Sequence, residues 1–194
     1  GETADTIAAM RECQRRGAKT LAIVNVVGST IAKLADWCLY TWAGPEIAVA
    51  TTKGYTTQLT VLYLFALYAA KQLKTVDNAA FHQYLSTLKS LPKLIQQALD
   101  MNPGIYQLAK KYHTAYSMFF IGRNTDYAVA LEGALKMKEI SYIHAESYAA
   151  GELKHGTIAL ICEGQPVIAL CCNDSIAEKT MSNIVEVKTR GVEV

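Results

Sequence analysis

An α/β fold with parallel sheets flanked by helices, built as two pseudo-repeated subdomains, is predicted for this chain by three observations. Thr20–Val26 (TLAIVNV) is a continuous apolar run rich in β-branched residues, as expected of a strand covered on both faces. Strand and helix patterns alternate with short connections, the arrangement that joins parallel strands through helices. The order strand, helix, strand occurs in both halves, and Pro45–Ala50 (PEIAVA) faintly echoes Ala145–Ala150 (AESYAA). The plan that follows is the C-terminal part of a first subdomain over 1–75, a helical connector over 76–114 and the N-terminal part of a second subdomain over 115–194.

Each element has its own signal. Thr3 or Asp5 can cap a helix running to about Arg16, with Ile7, Met10 and Cys13 on its buried side and Gly17 ending it. After the first strand, Gly28-Ser29 makes a turn and a cap for a short helix to about Ala35. Cys38–Thr41 reads as the next strand. Ala43–Lys53 (AGPEIAVATTK) is a loop with turn chemistry at Gly44-Pro45, and Thr51 or Thr52 caps the helix after it. That helix, to about Leu73, is apolar nearly all round (Leu59, Val61, Leu62, Leu64, Phe65, Leu67), which predicts a central core position or a subunit interface. Val76–Leu99 is amphipathic with a break or bend at Pro92, and Pro103 sits in the first turn of a helix to about Tyr112. Ser117–Gly122 (SMFFIG) is a strand, Arg123–Asp126 a polar turn, and a long helical pattern follows. Pro166–Cys171 (PVIALC) is the last full strand, with Asp174 or Ser175 capping a helix to about Arg190. Gly191–Val194 looks like the start of another strand. With no strand before the helix that opens at Thr3, the chain is expected to be a piece of a longer protein.

Composition narrows the function. The 194 residues are 51% hydrophobic, ample for a core, and 19 basic against 17 acidic side chains leave a net charge of +2. That balance, with basic residues scattered, excludes a nucleic-acid footprint. The most apolar window, Leu59–Ala70, is too short to span a bilayer, so no membrane role is expected. Five cysteines, odd in number and without C-x-x-C spacing, predict reduced thiols in the cytoplasm. No nucleotide fingerprint is present and no Cys/His spacing fits zinc, so no cofactor and no metal are expected.

Chemistry concentrates between Leu131 and Gly156 (LEGALKMKEISYIHAESYAAGELKHG). Glu132, Lys136 and Glu139 share one helix face through spacings of four and three, either as a solvated salt-bridge row or as a partly buried set suited to proton transfer. The apolar neighbours Leu131, Ala134, Leu135, Met137 and Ile140 argue for partial burial. Gly151 and Gly156 bracket Glu152-Leu153-Lys154-His155, so a loop can present His155 to a cleft. His144 reads as structural, and His82 and His113 as exposed. The Glu152-x-x-His155 spacing occurs once, where a carboxylate-bridged metal pair needs two copies. The hydroxyls and amides of Gly1–Thr6 (GETADT) suit either ordinary helix capping or a phosphate site.

Three stretches, GETADT, AGPEIAVATTK and above all ALEGALKMKEISYIHAESYAAGELKHG, resemble the sugar isomerase (SIS) family over essentially the whole chain. Within it they are similar to the isomerase part of the glutamine–fructose-6-phosphate aminotransferases. The resemblance implies a hexose 6-phosphate substrate and synthesis of glucosamine 6-phosphate from fructose 6-phosphate and glutamine-derived ammonia. It implies that Glu139 is the base that moves a proton between C1 and C2 of the opened sugar, that Lys136 assists, and that His155 opens the ring from the second subunit of a homodimer. Thr3 matches a phosphate-binding threonine, and Val49 and Thr51 match residues lining the sugar pocket. Glu132 matches a family glutamate in a supporting place. The family's Ser-Gln-Ser run before Gly-Glu-Thr, its Schiff-base lysine near the C-terminus and its glutaminase domain have no counterpart between Gly1 and Val194, so the chain is expected to hold part of the isomerase site and no complete synthase activity. A deaminase-like SIS enzyme and a non-catalytic sugar-phosphate sensor are the competing readings, and a sensor has no need of a proton-shuttling carboxylate.

Overall fold

The computed structural model describes residues 1–194, which divide into two compact units, Gly1–Asp100 and Met101–Val194. In the first unit the chain runs through α1 (Ala4–Arg15), β1 (Leu21–Val24), α2 (Thr30–Leu34), β2 (Trp37–Tyr40), α3 (Thr52–Gln72) and α4 (Asn78–Asp100). β1 and β2 pair in parallel, with Leu21 opposite Trp37 and Val24 opposite Tyr40. Ala22, Val24 and Ile31 form the core, with Ile7 and Met10 of α1 packed against it.

Several expectations for this unit are corrected. Leu21 is exposed while Ala22 and Val24 are buried, so β1 is covered on one face, because α1 and α2 shield that side. Cys13 is exposed; the inner stripe of α1 continues from Met10 to Gln14, whose amide reaches Thr20 Oγ1 at 3.0 Å and the Leu34 carbonyl at 2.8 Å. α3 has no buried residue, which rules out a core position within the unit. Its Leu62, Leu64, Phe65 and Tyr68 are all exposed. α4 passes through Pro92 unbroken, with the proline on the exposed side where water can satisfy the freed carbonyl.

Asp36 fastens the turn before β2 to the start of β1. Its carboxylate accepts hydrogen bonds from the Thr20 amide and hydroxyl, both at 2.9 Å, and from Lys19 Nζ at 3.0 Å. The Thr20 amide first, then Lys19, hold its pKa down at about 2, below the ordinary 3.8. A depressed carboxylate pKa stabilises the fold above pH 4, and that contribution disappears as pH falls toward 2. Asp36→Asn therefore flattens the acid limb of the first unit's stability curve between pH 4 and 2, read by circular dichroism; an unaltered limb contradicts this assignment.

In the second unit the elements are α5 (Asn102–Tyr112), β3 (Ser117–Gly122), α6 (Thr125–Ser141), β4 (His144–Ala149), β5 (Val167–Ala169) and α7 (Ala177–Lys188), with 3-10 turns at Ala150–His155, Thr157–Leu160 and Asp174–Ile176. The sheet order is β4-β3-β5, all parallel, with Phe119 opposite both Glu146 and Val167. β3 is the strand buried on both faces. Phe119 and Ile121 enter one core with Leu153, Val167 and Val187, while Met118 and Phe120 enter another under α6 with Ala130 and Ala134. Gly191–Val194, expected to start a strand, contributes one isolated parallel bridge, Glu193 with Pro166, the Val167 amide donating to the Glu193 carbonyl at 2.8 Å.

Here the main correction is β4, a strand within the stretch read as helical. α6 stops at Ser141 because Tyr142 takes a left-handed conformation, φ 60°. The echo between residues 45–50 and 145–150 does not survive, since the first is loop and the second is β4 with Ala150. A different repeat is visible. α1 and α6 each begin three residues after a glycine, Gly1 and Gly122, and each carries aspartate as its second residue, Asp5 and Asp126. Neither Asp174 nor Ser175 caps α7: its N-cap is Ile176, without a side-chain bond, and Asn173 caps the 3-10 turn before it, its side chain accepting from the Ser175 amide at 3.1 Å.

Candidate functional site

Glu132, Lys136 and Glu139 lie on α6, whose inner face is set by the small residues Ala130 and Ala134 against β3 and β4. Small residues let the helix approach the sheet closely, which leaves the longer polar side chains at the flank. Lys136 Nζ sits 2.7 Å from Glu139 Oε2 and 3.4 Å from Glu132 Oε1. The three side chains are half-buried, with Lys136 and Glu132 at 20% and 23% exposure and Glu139 at 33%. Leu131, Leu135 and Ile140 are exposed, so they flank the row as an apolar rim and do not enclose it. The hydrogen bond to Glu139, with Glu132 adding its charge, raises the Lys136 pKa above 10.5 against the opposing effect of burial. Lys136 is consequently a fixed cation at neutral pH. One ammonium between two carboxylates leaves the row net negative: a cation able to stabilise developing oxyanion charge stands beside a carboxylate able to take a proton.

His155 closes the 3-10 turn Ala150–His155 in the same unit. Its side chain is 75% exposed and its nearest charged partner is Glu152, 3.9 Å away. No three His, Cys, Asp or Glu side chains come together as a metal-holding group. His144 opens β4 at the surface, 3.9 Å from Glu146.

The remaining expected residues belong to the first unit. Thr3 occupies the N-cap position of α1, but its side chain makes no capping hydrogen bond. The segment before it is held instead by Glu2, which accepts from the Thr30 amide at 2.8 Å, and by the Gly1 carbonyl, which accepts from the Ile31 amide at 3.0 Å. Val49 is 93% exposed, on the loop between β2 and α3. Thr51 follows in a left-handed conformation, φ 53°, an outlier for a β-branched residue that costs about 1–3 kcal/mol. Gly54 makes room for it: a Cβ there would lie 2.8 Å from Thr51 Cγ2. The loop is tied at both ends. Lys53 Nζ donates to the Pro45 carbonyl at 2.6 Å and the Gly54 amide to Glu46 at 3.2 Å, while Asn25 donates to the Gly44 carbonyl at 2.6 Å and accepts from Thr41 and Ala43.

Asn25 and Arg123 were missed in the sequence. Both follow closely on the carboxyl ends of parallel strands, β1 and β3, where ligand sites of open α/β sheets form. A polar residue terminating an apolar strand was the available signal.

The chain is 55% identical over 191 residues to the glutamine–fructose-6-phosphate aminotransferase [isomerizing] of Caldanaerobacter subterraneus subsp. tengcongensis, and 56% identical to that of Symbiobacterium thermophilum. In each comparison the match takes in 98% of this chain and 31% of the relative, so the chain spans about a third of their length. The C-terminal domain of glucosamine-fructose-6-phosphate aminotransferase from Francisella tularensis superposes with a TM-score of 0.96 at 40% identity, over 99% of this chain and 55% of that one. The SIS domain model matches residues 1–68 and 111–194. Parallel sheets flanked by helices and this match over most of its length agree: the chain belongs to the SIS domain family.

Proposed function

We propose that the chain belongs to the isomerase portion of a glutamine–fructose-6-phosphate aminotransferase, holding parts of two SIS subdomains over 1–75 and 115–194 joined by a helical connector over 76–114. The reading rests on one observation above others: Lys136 bridges Glu132 and Glu139 on a half-buried helix face, in a chain more than half identical to proteins so named. An aldose–ketose interconversion needs a base that reaches two adjacent carbons and a cation for the enediolate-like charge between them. Glu139 is the base and Lys136 the cation. His155 opens the sugar ring, Thr3 holds the phosphate, and Val49 and Thr51 line the sugar. Product glucosamine 6-phosphate feeds amino-sugar synthesis.

A homodimer that shares the site is part of the proposal. The exposed apolar surface of α3 supports it, as does the outward projection of His155, whose task is then performed in the partner. Five free cysteines and the lack of any helix long and apolar enough to cross a membrane support a cytoplasmic setting.

Titration with fructose 6-phosphate, followed by amide resonances, tests the binding half of this reading. The expected result is saturable shifts at Thr3, Val49 and Thr51 and at Lys136 and Glu139. Shifts confined to other residues sink it.

A further inference from the structure

The histidine assigned to ring opening has almost no side-chain support of its own, being 75% exposed with only an exposed glutamate nearby. Something else must fix it, and the backbone carrying it is clamped on three sides. From below, Ala150 and Leu153 are fully buried in the core with Ile121 and Val187. On one flank, Lys154 Nζ lies 3.6 Å from Glu186 of α7. On the other, the guanidinium of Arg123, from the turn between β3 and α6, rests on Gly151. A Cβ at position 151 would sit 2.4 Å from Arg123 Nη2 and 3.1 Å from its Cζ.

Arg123 and Lys154 are linked through α7. Arg123 Nε donates to Asn183 Oδ1 at 3.1 Å, and Asn183 Nδ2 donates to Glu186 Oε2 at 3.4 Å. Asn183 is 6% exposed, so its amide is committed to this chain of contacts and little screened by water. The turn that begins the helix of Lys136 and Glu139 is thereby tied to the segment that ends in His155. Gly156, at φ 139°, then releases the chain in a direction closed to other residues.

We propose that Arg123 is a positioning residue: its guanidinium, seated on Gly151 and anchored by Asn183, fixes Ala150–His155 so that an exposed imidazole is held through its main chain. This explains why the Glu-Leu-Lys-His segment starts at a glycine. Any larger residue at 151 displaces the guanidinium. It also explains how a histidine can be offered outward with only an exposed glutamate beside it, since an imidazole that must reach another subunit cannot be enclosed by groups of its own. The inference rests on the proposed function for what His155 does, but the clamp itself does not depend on it.

Two measurements on Arg123→Ala, Gly151→Ala and the double variant separate these parts. Amide hydrogen exchange on the 194-residue chain reads the clamp. Arg123→Ala is expected to speed exchange across residues 150–155 while β3 and α6 stay protected. Gly151→Ala is expected to do the same, and the double variant to be no worse than either, because one guanidinium is lost in all three. Unchanged exchange at 150–155, or additive effects in the double variant, overturns the clamp. Steady-state turnover of fructose 6-phosphate in the intact protein reads positioning. Misplacement by about 1 Å costs up to roughly 100-fold in rate, so kcat falls on that scale in Arg123→Ala while KM changes little. A kcat equal to wild type with faster local exchange overturns the positioning role. Wild-type protein inactive on fructose 6-phosphate, with the exchange pattern as expected, sinks the proposed function and leaves the clamp standing.

Discussion

Glu139→Gln lowers glucose 6-phosphate/fructose 6-phosphate interconversion by about 10²–10⁴-fold, the share that a positioned general base contributes. Glutamine has the shape of glutamate and its carbonyl oxygen still accepts from Lys136 Nζ, which stands 2.7 Å from the native carboxylate. What it lacks is a lone pair basic enough to carry a proton between carbons. The loss should therefore appear in kcat with KM nearly unchanged, the pattern of an interaction made in the transition state alone. Glu132→Gln supplies the comparison. That carboxylate stands farther from Lys136, at 3.4 Å, and its loss should be clearly the smaller. The pH profile carries a further condition. Because the bond to Glu139 raises the Lys136 pKa, the ammonium keeps its charge through neutral and mildly alkaline pH, and no rate loss between pH 7 and 9 traces to it. Near wild-type interconversion in Glu139→Gln removes Glu139 from the role of base.

Leu153→Ala unfolds the second unit at a markedly lower temperature. Leu153 is fully buried between Ile121 of β3 and Val187 of α7, although it lies in a short 3-10 turn bracketed by glycines. Truncating a buried leucine costs about 2–5 kcal/mol, through lost transfer energy and the cavity left behind. For a unit of this size each kcal/mol lowers Tm by roughly 4–8 °C, so a drop of about 8–40 °C is expected by calorimetry. Leu153→Met conserves volume and should recover most of it. A Tm within a degree or two of wild type would mean that the turn is not part of the core, and that His155 is supported some other way.

The sequence was most readable where one strong local pattern met no competitor. SMFFIG, apolar from Met118 to Ile121 and ended by a glycine, marked β3 to the residue. Ser29 after a glycine marked the cap of α2, its hydroxyl 3.5 Å from the Ala32 amide. β4 was hidden because His144–Ala149 (HAESYA) shows no clean polar/apolar alternation and directly follows a seventeen-residue helix. Its buried members, Ala145 and Ser147, are small enough to suit a helix equally well. For α3 the apolar circumference was legible, but which of its two readings, core or subunit interface, applied was not. Burial depends on what surrounds a helix, and that is not written in the helix. The candidate site divides in the same way. Spacings of three and four placed Lys136 beside Glu139, whereas Arg123 and Gly151 are 28 positions apart and meet through tertiary packing alone.

The strictly parallel sheet of the second unit also governs the order in which that unit can form. Phe119 of β3 pairs with Glu146 and, on its other side, with Val167, which lies 167 − 119 = 48 residues later. During synthesis at about 5–20 residues per second, the inner edge of β3 waits roughly 2–10 s for that partner. Through this interval the most apolar strand of the unit has one row of amides and carbonyls unpaired, the arrangement most open to association with another chain. The register thus creates a vulnerability on the ribosome that the finished fold no longer has. It makes β5, only three residues long, the element whose arrival covers that edge of β3.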